Sequence, residues 1–111
     1  MKHNYNEIMK ETAPLNIITG FNMKDRLIIH PNDGFDLDLY NVTYNFTVYI
    51  NIEIEDFIKK NSIPDFSLNL NLANECKPGT IEMDNSFWLK IGKPDKIKLV
   101  IDDKKLLLAV V

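Results

Sequence analysis

The most regular feature of the chain is an alternation of apolar and polar side chains near its middle. Every second residue from Val42 to Ile54 is apolar, and the residues between them are polar except for Tyr49. Because successive side chains of a strand point to opposite faces, this pattern predicts a long β-strand with one buried and one solvated face. A straight strand over residues 42–55 would exceed about 40 Å, so we expect it to bend or to serve two neighbours.

Shorter segments of strand-like composition lie on both sides of this one, separated by turn-forming residues. They cover residues 15–23, 26–30, 35–39, 66–72, 80–83, 87–91, 97–101 and 106–111. Every side chain in the last segment is apolar, which predicts a central strand or one that a partner covers. Strands at this spacing are typical of an antiparallel β-sandwich or roll, here with about seven or eight strands.

The segment that precedes these strands has helical spacing instead. Its apolar stripe is formed by Tyr5, Ile8, Met9 and either Thr12 or Ala13. Pro14 ends the pattern, because the residue before a proline disfavours the helical backbone. We therefore predict a mainly β protein whose single domain covers residues 1–111, with one short N-terminal helix over 3–13 and antiparallel β structure over 15–111.

Composition narrows the functional classes. The chain has 111 residues, of which 45% are hydrophobic and 26% are charged, as in ordinary globular proteins. No apolar run approaches the roughly 20 residues that span a bilayer, so we expect no membrane association. A net charge of −3 argues against direct nucleic-acid binding. One cysteine and the lack of a signal-type apolar stretch favour a reducing, cytoplasmic location.

No motif indicates catalysis or a cofactor. His3, His30 and Cys76 lack the spacing of zinc ligands, and residues 33–38 depart from the calcium-loop pattern. We therefore predict no enzyme activity, no metal and no cofactor. Weak divalent-cation binding by Asp36 and Asp38, or catalysis by carboxylates that folding brings together, stay as alternatives.

The charges are unevenly distributed along the chain. Residues 27–58 hold six carboxylates and no lysine or arginine, whereas residues 90–105 hold six lysines and three aspartates. An acidic β face could recognise a basic surface on another protein. The alternative is a solvated strand face whose charges prevent aggregation.

Two aromatic residues are predicted to point outward. Tyr49 lies among the polar positions of the long strand, and Trp88 faces outward if Phe87 and Leu89 face the core. Tyrosine and tryptophan are frequent interface anchors. Trp88 could instead be covered by a second layer and belong to the core.

These observations favour a small intracellular protein-binding module that acts as an inhibitor, of the immunity type or virus-encoded, by blocking a basic surface of a partner protein. Its predicted partner-binding residues are Asp36, Asp38, Tyr49, Glu53, Glu55, Asp56 and Trp88. The alternative is a structural or assembly subunit, a virion component or a homo-oligomer, that associates through strand edges. A third hypothesis, an enzyme or small-ligand binder, requires an enclosed pocket that holds polar groups.

Overall fold

The computed structural model describes residues 9–20, 23–59 and 63–111. Within these residues there are eight strands and three short helices. The strands are β1 (Met9–Glu11), β2 (Leu15–Gly20), β3 (Arg26–Ile29), β4 (Thr43–Ile50), β5 (Phe66–Leu72), β6 (Thr80–Asp84), β7 (Lys96–Asp102) and β8 (Lys105–Val110). The helices are α1 (Pro31–Phe35), α2 (Ile54–Lys59) and α3 (Asn85–Lys90).

The strands form one sheet that closes on itself. Its order is β1-β7-β2-β6-β3-β5-β4-β8, and a further pairing of β7 with β8 closes seven of the strands into a barrel. The predicted mainly β fold is confirmed, but the sheet is a barrel rather than a sandwich or roll. Alternation along a strand determines which side chains face the core, whereas closure depends on which distant edges pair.

The barrel mixes parallel and antiparallel pairs. β2 with β6, β3 with β5, and β4 with β8 are parallel, and the other pairs are antiparallel. The prediction of purely antiparallel structure is therefore wrong. Parallel neighbours need a connection that returns to the starting end of the sheet. Here β4 and two of the short helices lie between β3 and β5 in the chain.

The inward side chains of the strands fill the barrel, and the two ends are closed by segments between strands. Because β3 and β6 are antiparallel, the residues that follow them leave at opposite ends. Leu37 and Leu39, which follow β3, join the core at one end. Phe87 and Ile91, in and after α3, join it at the other.

The long predicted strand is shorter than its alternation suggested. The prediction that every second residue faces the core is confirmed in β4, where Phe46, Val48 and Ile50 belong to the barrel core. The strand ends at Ile50, and Asn51 adopts a left-handed backbone with φ of 59°. Residues 54–59 then form α2 instead of continuing the strand.

Helix α2 covers part of the outer barrel surface and buries Tyr49. The rings of Phe57 and Tyr49 meet edge to face, with centroids 5.3 Å apart, and Val100 and Leu107 complete this second cluster. Tyr49 is only 5% exposed, so the prediction that it faces solvent is wrong. An outward position on a strand is buried when a helix lies over it, and strand periodicity contains no information about that helix.

Three other predicted elements differ from the structure. Residues 87–91 belong mainly to α3 rather than to a strand, because Asp84 caps a helical turn there. Residues 35–39 end α1 and form turns instead of a strand. In the predicted 3–13 helix, residues 3–8 lie outside the described residues, and Met9–Glu11 form a strand paired with β7. A short run of apolar residues fits both the helical and the strand period, and contacts with distant parts of the chain decide which structure forms.

Thr12 joins the two strands on either side of it to β7. Its backbone N–H donates to the carbonyl of Leu99, and its hydroxyl oxygen accepts the N–H of Leu99, both at 3.0 Å. Thr12 is 2% exposed. The side chain therefore takes the place of a ladder hydrogen bond where the chain passes from β1 to β2.

We expect Thr12→Val to lower the free energy of unfolding by about 1–3 kcal/mol, because it leaves the buried N–H of Leu99 without an acceptor at nearly unchanged volume. Urea denaturation measures this difference. Thr43→Val is the matched control, since Thr43 is exposed on β4, and it should change stability by no more than about 0.5 kcal/mol. Equal effects of the two substitutions would contradict the role assigned to the Thr12 hydroxyl.

Candidate partner-binding surface

The segment that closes the barrel after β3 begins with α1. The imidazole Nδ1 of His30 accepts the backbone N–H of Asn32 at 2.9 Å and caps the helix, and Pro31 occupies its first turn. Gly34 is buried against β5. A Cβ at this position would lie 2.8 Å from Cδ2 of Leu72, so the absence of a side chain lets α1 seat closely on the barrel.

The residues after α1 alternate between the core and solvent. The N–H groups of Leu37 and Leu39 donate to the carbonyl of Gly34 at 2.9 and 3.0 Å, which fixes two tight turns. Both leucines are buried, whereas Asp36 and Asp38 are exposed. Asp38 has a left-handed backbone with φ of 58°, a conformation that Asp tolerates better than most residues.

Three large apolar side chains of the same segment are also exposed to solvent. Phe35 is 65% exposed, Tyr40 is 67% exposed and Val42 is 69% exposed. The Phe35 and Tyr40 rings contact each other edge to face at 5.6 Å. We call the set of Phe35, Asp36, Asp38, Tyr40 and Val42 the acidic–aromatic surface. Clustered exposed apolar groups with a polar surround are typical of interaction sites.

Hydrogen bonds hold the acidic–aromatic surface in one conformation. The phenol oxygen of Tyr44 accepts the backbone N–H groups of Tyr40 and Asn41, at 2.7 and 3.0 Å. The hydroxyl of Tyr40 donates to Oδ1 of Asp38 at 3.2 Å. Val42 is tied to β5, since its carbonyl accepts the N–H of Leu72 at 2.8 Å. A surface ordered before binding loses less conformational entropy when a partner docks.

The two carboxylates of this surface differ in their ion pairing. Lys10 Nζ lies 3.3 Å from Oδ2 of Asp38 and forms an exposed ion pair. Within residues 9–20, 23–59 and 63–111, Asp36 forms no salt bridge. Partial desolvation, the hydrogen bond to Asp38 and the negative charge of that carboxylate raise the pKa of Tyr40. The phenol therefore stays neutral and able to donate at physiological pH.

The other predicted site residues lie elsewhere. Glu53, Glu55 and Asp56 are exposed, but they follow β4, whereas Asp36 and Asp38 precede it. The eight residues of β4 separate the two points of attachment by about 25 Å. The structure therefore brings together only Asp36 and Asp38 from the predicted set of acids.

Trp88, the second predicted anchor, lies on α3 and is half-buried. It packs against the barrel core, and its indole Nε1–H donates to the carbonyl of Pro94 at 2.8 Å. This contact fixes the loop between α3 and β7. The tryptophan is therefore partly covered by the fold, and part of its ring faces solvent.

The exposure of the apolar members of the surface was not predicted from strand alternation. Phe35 and Val42 occupy positions that the alternation assigned to the core, yet both are exposed. The Pro-Asn-Asp-Gly run before Phe35 forms α1 rather than a simple reversal, and Phe35 is the last residue of this helix, so strand alternation does not determine where it points. The exposure of these apolar residues can therefore be recognised only after the structure of the preceding turn is known.

Groups with catalytic potential do not converge in the described part of the chain. Burial raises the pKa of the Cys76 thiol, and the charges of Glu82 and Asp33 act in the same direction, although the Thr80 hydroxyl opposes them. Cys76 is therefore a neutral, buried thiol rather than a nucleophile. No group of three or more His, Cys, Asp or Glu residues in ranges 9–20, 23–59 and 63–111 could hold a metal ion.

Comparison with other proteins adds no assignment. No family model, no curated protein and no solved structure matches the chain. None of the helices in the described ranges combines the length and apolar character that crossing a membrane requires. The geometry of the chain is therefore the basis for assigning its function.

We expect Asp38→Asn to lower the pKa of Tyr40 relative to the wild type, because it removes the neighbouring negative charge that disfavours the phenolate. The 13C shift of the Tyr40 Cζ atom, followed by NMR from neutral to alkaline pH, reports this titration. Asp36→Asn, which removes a carboxylate without a hydrogen bond to Tyr40, should move the midpoint less. Identical midpoints in wild type and Asp38→Asn would show that the phenol does not bond to Asp38.

Proposed function

We propose that the protein is a protein-binding module that occupies a basic surface of a partner, in the manner of an inhibitor of the immunity or virus-encoded type. The observation that carries this proposal is the acidic–aromatic surface. Two aromatic rings are about two-thirds exposed there, and two carboxylates flank them. This combination offers anchoring and charge selection at one place on the molecule.

The aromatic side chains would supply most of the affinity. Truncation of an anchor residue in a protein interface costs from about 1 to more than 2 kcal/mol, and tyrosine is among the commonest anchors. Phe35 and Tyr40 are held by α1 and by Tyr44, so docking would immobilise few additional bonds. A guanidinium group of the partner could also stack on either ring.

The carboxylates would select the sign of the partner's charge. Asp36 and Asp38 lie at the rim of the rings, where charges mainly affect association rate and salt dependence. Because the Debye screening length is about 8 Å at physiological ionic strength, these carboxylates attract the partner's charges only at close approach. A partner with arginine or lysine around an apolar depression fits this surface.

Assembly through strand edges receives less support from the fold. The strand β4, whose polar face suggested an edge, pairs with β5 on one side and β8 on the other. The apolar strand β8 pairs with β4 and β7, as expected for a central strand. The backbone groups that strand addition needs are therefore already used in both strands.

We expect the double substitution Phe35→Ala and Tyr40→Ala to reduce partner recovery at least about tenfold without altering folding, since both side chains are exposed anchors. The measurement is affinity capture from the source cells with quantitative mass spectrometry. Variant and wild-type baits are loaded in equal amounts, after thermal denaturation has shown that their stabilities are equal. Undiminished recovery of every protein that the wild type captures would contradict the proposal.

A second pair of baits tests which carboxylates matter. Asp36→Asn with Asp38→Asn should weaken capture and reduce its sensitivity to salt, and asparagine also tolerates the backbone conformation of Asp38. The matched control is Glu53→Gln with Glu55→Gln, which removes the same charge after β4. A stronger effect of the control would move the binding surface to the start of α2.

A further inference from the structure

The end of the barrel opposite the acidic–aromatic surface contains a cavity. Strands β3 and β6 pair at only two positions, Ile28 with Glu82 and Ile29 with Ile81. Toward Arg26 and Asp84 these two strands are no longer paired, and a cavity of about 260 Å³ opens there at the end of the barrel. Its volume lies just below the range of about 300–1,000 Å³ that is common for ligand pockets. A cavity of this volume suits a molecule with a single ring.

The floor of this cavity is apolar and aromatic. Met23, Leu68, Phe66 and Phe87 line it. The rings of Phe66 and Phe87 contact each other edge to face, with centroids 5.1 Å apart. Phe87 is buried, whereas Phe66 keeps part of its surface in solvent. An aromatic or branched apolar group could therefore contact Phe66 directly.

The rim of the cavity is rich in cations although the whole chain is acidic. Lys24, Arg26 and Lys90 lie around the opening, and Lys90 Nζ is 5.4 Å from the centroid of the Phe66 ring. In the described part of the chain, none of these three cations forms a salt bridge. They are therefore available to an anion from solution.

The two carboxylates of the rim offset these cations only in part. Asp84 caps α3, where its carboxylate accepts the N–H of Ser86 at 3.0 Å and also the Ser86 hydroxyl. These hydrogen bonds lower the pKa of Asp84, and the backbone N–H of Met23 and the positive charge of Lys24 act in the same direction. Asp25 lies in the turn that precedes β3. Three cations against two carboxylates leave one unit of positive charge at this rim, in a chain whose net charge is −3.

We propose that this cavity binds a carboxylate that carries one aromatic ring. The ring would pack on Phe66 and Phe87, and the carboxylate would pair with the Arg26 guanidinium, whose fork geometry suits two parallel hydrogen bonds. Lys90 and Lys24 add positive charge beside it. This proposal uses none of the residues of the acidic–aromatic surface and does not depend on the proposed function.

Such a group has two sources, a free aromatic acid and a peptide chain that ends in phenylalanine. The probes are phenylacetate and an N-acetylated dipeptide with C-terminal phenylalanine, each titrated into the full chain and followed by NMR. We expect saturable shifts of the Met23 methyl group and of the Phe66 ring with at least one probe. The tighter probe identifies the source, and either result supports the proposal.

Phenylacetamide is the matched control ligand, because it keeps the shape of phenylacetate without the charge. We expect it to bind at least about tenfold more weakly. Equal affinity of the acid and the amide, or no saturable shift with either acid, would overturn the proposal. This comparison uses the wild-type chain and does not depend on the folding of a variant.

Substitutions then locate the charge that is responsible. Arg26→Gln should weaken phenylacetate binding at least fivefold, and Lys90→Gln should weaken it to a lesser extent. Lys77→Gln is the matched control, since Lys77 is exposed in the turn between β5 and β6 and does not line the cavity. An equal loss in the control variant would indicate a general charge effect and would contradict a site at Arg26.

Discussion

The pairing of β7 with β8 joins the two sides of the sheet and makes the barrel possible. It covers all of β8 and all of β7 except Lys96, from Ile97 opposite Val110 to Asp102 opposite Lys105, and it closes the sheet. Closure explains why Leu106, Leu107 and Leu108 are all apolar and all buried. Leu106 and Leu108 face the barrel interior, while Leu107 lies in the cluster under α2. Without that pair, two long apolar edges would be open to other chains.

A closed barrel confines irregular structure to its two ends, and this explains where the candidate surfaces lie. At one end, α1 and the turns after it insert Leu37 and Leu39 and leave aromatic rings and carboxylates outside. At the other end, α3 inserts Phe87 beside a cation-rimmed cavity. The segment after β3 carries Asp36 and Asp38, whereas Lys24, Arg26 and Lys90 lie around the cavity near α3. The barrel wall supplies rigidity, and the end segments supply chemistry.

Part of the candidate site was predictable. The exposure of Asp36 and Asp38 followed from their charge, and the inward position of Phe46 and Val48 followed from alternation. The exposure of Phe35 and the burial of Tyr49 were not predictable, because strand alternation contains no information about the helices α1 and α2. Phe35 is exposed because α1 turns it away from the core, and Tyr49 is buried because Phe57 lies on it.

Local periodicity and the cost of exposing apolar side chains predicted the β class, the positions of most strands and, in strands with clear alternation, the face toward the core. They did not predict that the sheet closes, that three of its pairs are parallel or that the acidic segments separate. Those features depend on contacts between distant residues. Periodicity specifies an inward and an outward side for each strand, but many strand orders satisfy the same alternation.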